Sequence, residues 1–256
     1  MNILEVENLS VHFGGVKAVQ NVSLTVEKGK ITSIIGPNGA GKTTFFNLVS
    51  GVIPPASGRI IFDGEDITNL SQYEISHKGI SRTFQNIRLF NQLNILQNVQ
   101  SALDARAHYN IFEAFLGLPG KRKVDKENRE KSRYYLEIVG MKALAEERPN
   151  SLPYGMQRRL ELARALASNP KLLLLDEPAA GLNPAEVEEF IALIKKIQSL
   201  FDITILLIDH RLKVVHTLSD QIYVLDFGQL LAKGTSEEIS RNKDVIRAYM
   251  GEEDEE

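Results

Sequence analysis

Residues Gly36 to Thr44 read GPNGAGKTT, which fits the spacing G-x-x-x-x-G-K-[ST] between a strand-like apolar run and a helix-like run. A polyphosphate carries several negative charges, so a loop that wraps it must present many backbone N–H donors at close range. Glycines at 36, 39 and 41 permit that approach, with Pro37, Asn38 and Ala40 completing the cradle and Thr44 following it. A helix beginning near Lys42 adds the positive end of its dipole. Lys42 is expected to reach the β and γ oxygens, and the Thr43 hydroxyl to ligand Mg²⁺. The alternative, an ordinary glycine-rich turn, sits poorly with the strand-turn-helix context. Kinases, GTPases, helicases and transport ATPases share such a loop, so it does not choose among them.

A second set of residues narrows the chemistry. In KLLLLDEP four leucines bury a strand, and two adjacent carboxylates at its end are costly unless a cation or hydrogen-bond donors meet them. Asp176 is placed to hold Mg²⁺ through its water shell, and Glu177 to take a proton from an attacking water. Neighbouring residues on a strand point opposite ways, so the pair straddles the strand end with separate roles. His210, in LLIDHRL, also follows a buried strand and falls on the edge where open α/β sheets bind ligands. Spacing alone leaves it between a catalytic and a structural histidine.

These residues need a scaffold. ILEVENLSVHF and VQNVSLTVE alternate as strands, Lys28-Gly29 turns into Ile31–Ile35, and Asp63-Gly64 marks a hairpin in SGRIIFDGEDI. The chain therefore opens with a small antiparallel sheet. Strand signals vanish between Asn94 and Asn150, where charged helical residues dominate and Tyr135, Ile138 and Val139 share a face, with Tyr134 at its margin. Strands resume at KLLLLD and DITILLIDH. The helix between them is capped by Asn183, starts with Pro184, presents Glu186, Glu188 and Glu189 to its dipole, and buries Val187, Phe190, Ile194 and Ile197. This pattern predicts an α/β chain of 256 residues, with core segments 1–93 and 151–256 and a helical insertion over 94–150.

Composition limits the setting. The chain has no Cys and no charged-then-apolar leader, which indicates neither a disulfide framework nor a secretory signal and points to a reducing cytoplasm. Apolar runs such as Leu172–Leu175 and Ile203–Ile208 fall far short of the roughly 20 residues a membrane span needs. Work at a membrane would require another polypeptide to supply the span. The formal net charge of −3 becomes +2 without the five acidic residues Glu252 to Glu256, and neither balance marks a nucleic-acid partner. That tail reads as a solvated end rather than an interaction element.

The ordered set Phe13 in VHFGG, the phosphate loop, Gln85 in RTFQN, SLPYGMQRRLELARAL at 151–166, LLLLDEP, AAGLNP and His210 resembles the ATP-binding-cassette transporter ATPases over nearly the whole chain. The resemblance implies a P-loop NTPase core with a mostly parallel sheet, an N-terminal antiparallel β-subdomain and a helical insertion, the last extending into a signature helix over 151–169. It further implies that Phe13 stacks on adenine, that Gln85 links Mg²⁺ and the attacking water to the helical subdomain, and that His210 contacts the γ-phosphate. The wording GGVKAVQNVSL, ISRTFQNIRLF and PYGMQRRLELARALASNPKLLLLDEPAAGLNPAE is most similar to one of the two ATPase subunits of branched-chain amino-acid importers. Urea and short-amide importers use similar subunits. The implied partners are a second ATPase subunit, transmembrane permease subunits docking at RLFNQLNILQNV, and indirectly a substrate-binding protein, with the chain at the cytoplasmic face of the membrane.

The family signature, Leu-Ser-Gly-Gly-Gln, is replaced here by Leu152, Pro153, Tyr154, Gly155 and Met156. In related ATPases it covers ATP held by another subunit. The serine hydroxyl is lost, while Gly155 and a helix beginning near Met156 still offer a free N–H and a dipole to that ATP. Gln157, Arg158 and Arg159 are expected to remain available for polar contacts in the first turn. One hydrogen bond to a charged acceptor is worth about 1.5 to 3 kcal/mol, which slows turnover without abolishing it. Because Lys42, Thr43, Gln85, Asp176, Glu177 and His210 are all of the types hydrolysis requires, the reading is an active ATPase. A non-hydrolysing regulatory module and a soluble protein acting on ribosomes or DNA are the other classes; the second lacks its usual coiled-coil or basic extension here.

Overall fold

The computed structural model describes residues 1–105 and 119–250. Two sheets form its frame. Strands β1 (Asn2–Phe13), β2 (Val16–Glu27), β4 (Ser57–Phe62) and β5 (Glu65–Asp66) make an antiparallel sheet in the order β2-β1-β4-β5. The second sheet runs β10-β9-β3-β8-β7-β6, from β3 (Ile31–Ile35), β6 (Ile80–Arg82), β7 (Leu172–Asp176), β8 (Thr204–Ile208), β9 (Gln221–Asp226) and β10 (Gln229–Gly234). Its pairs are parallel except β9–β10. The Asp63-Gly64 hairpin turn takes left-handed angles at both residues, φ 51° and 83°, as a tight two-residue hairpin requires.

The strands β3, β7 and β8 are buried along their length because both faces of the sheet are covered. Alternation then assigns their side chains to two cores. Leu172, Leu174, Leu206 and Ile208 pack with the antiparallel sheet and with helix α1 (Lys42–Val49). Leu173, Leu175, Ile205 and Leu207 pack on the opposite side against α3 (Ile95–Asp104), α5 (Tyr154–Ala167) and α6 (Pro184–Phe201). In chain order α2 (Gln72–Lys78) precedes β6, α4 (Pro119–Ile138) follows α3, and α7 (Leu212–Leu218), α8 (Ser236–Ser240) and α9 (Lys243–Met250) lie toward the end.

Between β6 and β7 the described elements are helical: α3, α4, α5 and two short 3₁₀ turns. Tyr135, Ile138 and Val139 face the core, with Tyr134 49% exposed beside them. Residues 106–118 of the expected insertion, and the acidic tail, lie outside the described residues. No described helix is long and apolar enough to cross a membrane.

Helix α6 begins as its residues dictate. The Asn183 side chain accepts the N–H groups of Ala185 and Glu186, and the Glu186 carboxylate returns a bond to the Asn183 N–H, closing a capping box. Only Glu186 lies in the first turn. Glu188 and Glu189 sit a turn too late to serve the dipole as expected and pair across the surface with Lys213 and Arg159.

Candidate nucleotide site

Strand β3 delivers the chain to Gly36 at the carboxyl edge of the sheet. A Cβ at Gly36 would lie 2.0 Å from the Leu225 carbonyl oxygen, and one at Gly41 would lie 2.3 Å from that of Ala18. Backbone atoms cannot yield as a flexible side chain can, so these two positions require glycine; both also have positive φ, 150° and 95°. Lys42 opens α1 and folds over the loop, its Nζ donating to the carbonyls of Gly36 at 2.6 Å and Pro37 at 2.8 Å. It is 8% exposed. Burial pushes its ammonium below the usual lysine range, while Glu177 and Asp176 pull the other way. Thr43 is exposed and Thr44 half-buried in the first turn of α1.

A cavity of about 410 Å³ borders the loop, lined by Asn38 to Thr44, Val16 to Ala18, Glu177 and Phe227. Phe13 does not line it. That side chain stands near the tip of the β1–β2 hairpin, 53% exposed. Phe227, 84% exposed in the turn between β9 and β10, was not anticipated from sequence. Its turn abuts the loop because the Gly228 N–H bonds the Ala40 carbonyl at 3.2 Å.

The adjacent carboxylates part as expected, although the turn at Glu177, beyond the end of β7 and left-handed in φ, replaces simple strand alternation. Asp176 ends β7 and points inward, 2% exposed, where its Oδ2 accepts Arg82 Nη2 at 2.8 Å. Arg82 also donates to Asn47 Oδ1 at 2.7 Å and Ser50 Oγ at 3.0 Å, and lies over the rings of Phe46 and Phe84. Burial pushes the Asp176 carboxyl above its usual range, against the pull of Arg82. Glu177 turns the other way, with φ 45° and its N–H bonded to the Ile208 carbonyl at 2.8 Å. Its Oε2 accepts Gln85 Nε2 at 2.9 Å and lies 3.8 Å from His210 Nδ1. The residue ahead of His210 is fixed: Asp209 is 1% exposed and its Oδ1 accepts the Arg211 N–H at 2.8 Å. The structure thus gathers Lys42, Gln85, Glu177 and His210 at one sheet edge from segments far apart in sequence.

The signature turn departs from expectation at its start. Helix α5 begins at Tyr154, not near Met156, because Pro153, with φ −54° and ψ 152°, serves as its N-cap and its carbonyl accepts the N–H groups of Met156 and Gln157. Gly155 therefore lies within the first turn, ahead of the intrahelical ladder, and is absent from the lining of the phosphate-loop cavity. Gln157, Arg158 and Arg159 make their polar contacts within this subunit. Gln157 bonds the Leu152 carbonyl, Arg159 pairs with Glu189, and Arg158 is 3% exposed and bonded to Phe84, Gln85, Tyr154 and Glu161. Tyr154 and Glu161 stand at helical spacing from Arg158, but an i,i+3 pair is equally at home on a surface; the two carbonyls that explain its burial lie more than 70 residues upstream. Arg82 left a fainter signal, a cation three residues before Gln85.

Comparison with known proteins identifies the family. Residues 19–180 match the ABC transporter family, and residues 229–255 match the family described as branched-chain amino acid ATP-binding cassette transporter. The chain is 45% identical over 250 residues to the high-affinity branched-chain amino acid transport ATP-binding protein BraF of Pseudomonas aeruginosa, covering 98% of each chain. It is 42% identical to the corresponding protein LivG of Escherichia coli, again with 98% of each chain covered. A solved nucleotide-free ATP-binding cassette from an ABC transporter superposes with a TM-score of 0.85 at 33% identity, over 98% of this chain and 100% of that one. An intact phosphate loop, a carboxylate pair at the same sheet edge and full-length likeness lead to one conclusion: the chain belongs to the ABC transporter family, among the branched-chain amino acid transport ATP-binding proteins.

Proposed function

We propose that this chain hydrolyses ATP to drive an importer of branched-chain amino acids, with Glu177 as the base. The observation that carries the chemistry is that the Glu177 carboxylate borders the phosphate-loop cavity while the Gln85 amide holds one of its oxygens. In this reading Lys42 gives up the Gly36 and Pro37 carbonyls for phosphate oxygens, and the backbone of Gly36, Pro37, Asn38, Gly39, Ala40, Gly41, Lys42, Thr43 and Thr44 cradles the phosphates. Glu177 takes the proton of the attacking water, Gln85 orients that carboxylate, and His210 meets the γ-phosphoryl group. Phe13 stacks on the base, and the Gly155 N–H faces ATP held by a second ATPase subunit, whether a copy of this chain or a sister.

The donor set suits Mg²⁺. The Thr43 hydroxyl, the Gln85 amide oxygen and the Asp176 carboxylate, the last through water, are hard oxygen donors. Among the described residues no group of three or more His, Asp or Glu side chains can hold an ion alone, which fits an ion that arrives with the phosphates. When bound, Mg²⁺ neutralises charge developing between the β and γ oxygens.

Within 94–150 and 151–169, the described helices α3, α4 and α5 form the arm that transmits closure from Gln85 to permease subunits at the cytoplasmic face of the membrane, and a substrate-binding protein meets those subunits on the far side. The docking surface is the exposed part of 88–99, since Ile95, Leu96, Asn98 and Val99 are buried. The cargo is supported by the likeness to BraF and LivG and by the match of residues 229–255.

Glu177→Gln should retain ATP binding while phosphate release falls about a hundredfold or more; unchanged turnover would overturn the role of Glu177. ATP-dependent uptake of labelled leucine into vesicles carrying the assembled transporter tests the cargo, and uptake that persists without this chain rejects it.

A further inference from the structure

We infer that Tyr154 and Arg158 are positioning residues for hydrolysis: within one subunit they tie the signature turn to the Gln85 segment and, through Gln85, to the Glu177 carboxylate. The inference rests on the reading of Glu177 as the base.

The path is continuous in hydrogen bonds. Tyr154 opens α5, and its ring lies against Gly181, where a Cβ would stand 2.8 Å from Cε1. Its hydroxyl accepts Arg158 Nη2 at 2.9 Å, and the guanidinium carbon lies 5.4 Å from the ring centroid. Arg158 Nη2 also donates to the Gln85 carbonyl, and Nη1 donates to the Phe84 carbonyl at 2.8 Å and to Glu161 Oε2 at 3.1 Å. The other Glu161 oxygen takes the Phe84 N–H at 3.3 Å. Three backbone groups of Phe84 and Gln85 are thereby fixed from α5. The Gln85 side chain, leaving that fixed backbone, reaches Glu177 Oε2 at 2.9 Å.

Burial gives this link its stiffness. The Arg158 side chain is 2% exposed and that of Glu161 3%, so water cannot replace a bond that lengthens. The family signature has glycine where this chain has Tyr154, and glycine offers Arg158 no hydroxyl. The altered signature thus supplies a contact inside its own subunit. A shift of the turn against Gly181 displaces Arg158, and with it the amide that orients Glu177.

The test is steady-state hydrolysis by the full chain with Mg-ATP. Tyr154→Phe keeps the ring on Gly181 and removes only the hydroxyl of a side chain that is 43% exposed, so its urea midpoint should fall slightly, for the acceptor lost to buried Arg158, while the slope of the transition matches the parent. Its kcat should fall about three- to tenfold at unchanged KM. In a Gln85→Ala background the same change should lower kcat by less than about 1.5-fold, because the path is already cut. Arg158→Lys, which keeps the charge but cannot span both carbonyls, should lower kcat further than Tyr154→Phe. Additive losses with Gln85→Ala would overturn the inference. So would a raised KM at unchanged kcat, the result expected if the hydroxyl met ATP on a second subunit. The reading of Glu177 fails separately, if Glu177→Gln still turns over.

Discussion

The phosphate loop and the signature turn both lie at helix N-termini, yet they are held in opposite ways. In the loop, backbone confines backbone: Leu225 and Ala18 carbonyls leave no room for a Cβ at Gly36 or Gly41, and Lys42 bonds carbonyls five and six residues away. In the signature turn the confinement comes from side chains. A Cβ at Gly155 would meet Glu186 Oε1 at 3.1 Å, the mobile end of a long side chain, and Arg158 reaches carbonyls 73 and 74 residues away. A motif pressed against neighbouring backbone tolerates little change in sequence. One held by distant side chains can exchange residues, as Pro153 and Tyr154 have done, provided that the distant partners remain.

Four substitutions press on that contrast. The largest effect is expected at the carboxylate edge beside the loop. Asp176→Ala leaves Arg82 charged, buried and unpaired, and should cost about 3 to 5 kcal/mol in urea unfolding. Gly36→Ala should cost about 2 to 4 kcal/mol, from overpacking against a carbonyl and from φ in the left-handed half of the map. An undiminished midpoint would show that the loop can rearrange, and the contrast would fall.

A third prediction concerns pH. Because burial holds the Lys42 ammonium below its usual range, the folded chain binds that proton less tightly than the unfolded chain does. Its contribution to stability is complete above the unfolded value and is lost as pH falls through the folded one. The unfolding free energy of the parent minus that of Lys42→Met should therefore decline as the solution is taken from strongly alkaline pH toward neutrality. A flat difference would mean that Lys42 is solvated when the chain is folded. The smallest effect is expected at the other region. Gly155→Ala should change stability by less than about 0.5 kcal/mol, since helix propensity offsets slight crowding of Glu186. It should nonetheless slow hydrolysis if Gly155 faces ATP across a dimer, and an unaffected rate would remove Gly155 from the site.

The same division governed what could be read in advance. Gly36 to Thr44, the strand that ends at Asp176, and Asn183 with Pro184 declare themselves through spacing of a few residues, and the corresponding elements were foreseen to within one or two positions. Helix α5 starts two residues before the expected position because Pro153 serves as its N-cap. The burial of Arg158 was not legible in the sequence, nor were the places of Phe227 and Arg82. Each owes its place to a neighbour distant in sequence: the Phe84 and Gln85 carbonyls, the phosphate loop, and Asp176.

By itself the sequence determined the local pattern that polyphosphate chemistry needs: the glycine spacing of the loop, the strand and helix on either side of it, and which strands are apolar enough to be buried on both faces. Local sterics and periodicity operate over a few residues, and one chain contains all of that information. Tertiary structure alone decided which charges pair and which remain open. Burial makes an ion pair depend on partners that only the closed sheet and the packed α5 bring within reach, so Arg82 came to hold Asp176 and Arg158 to hold the backbone beside Gln85.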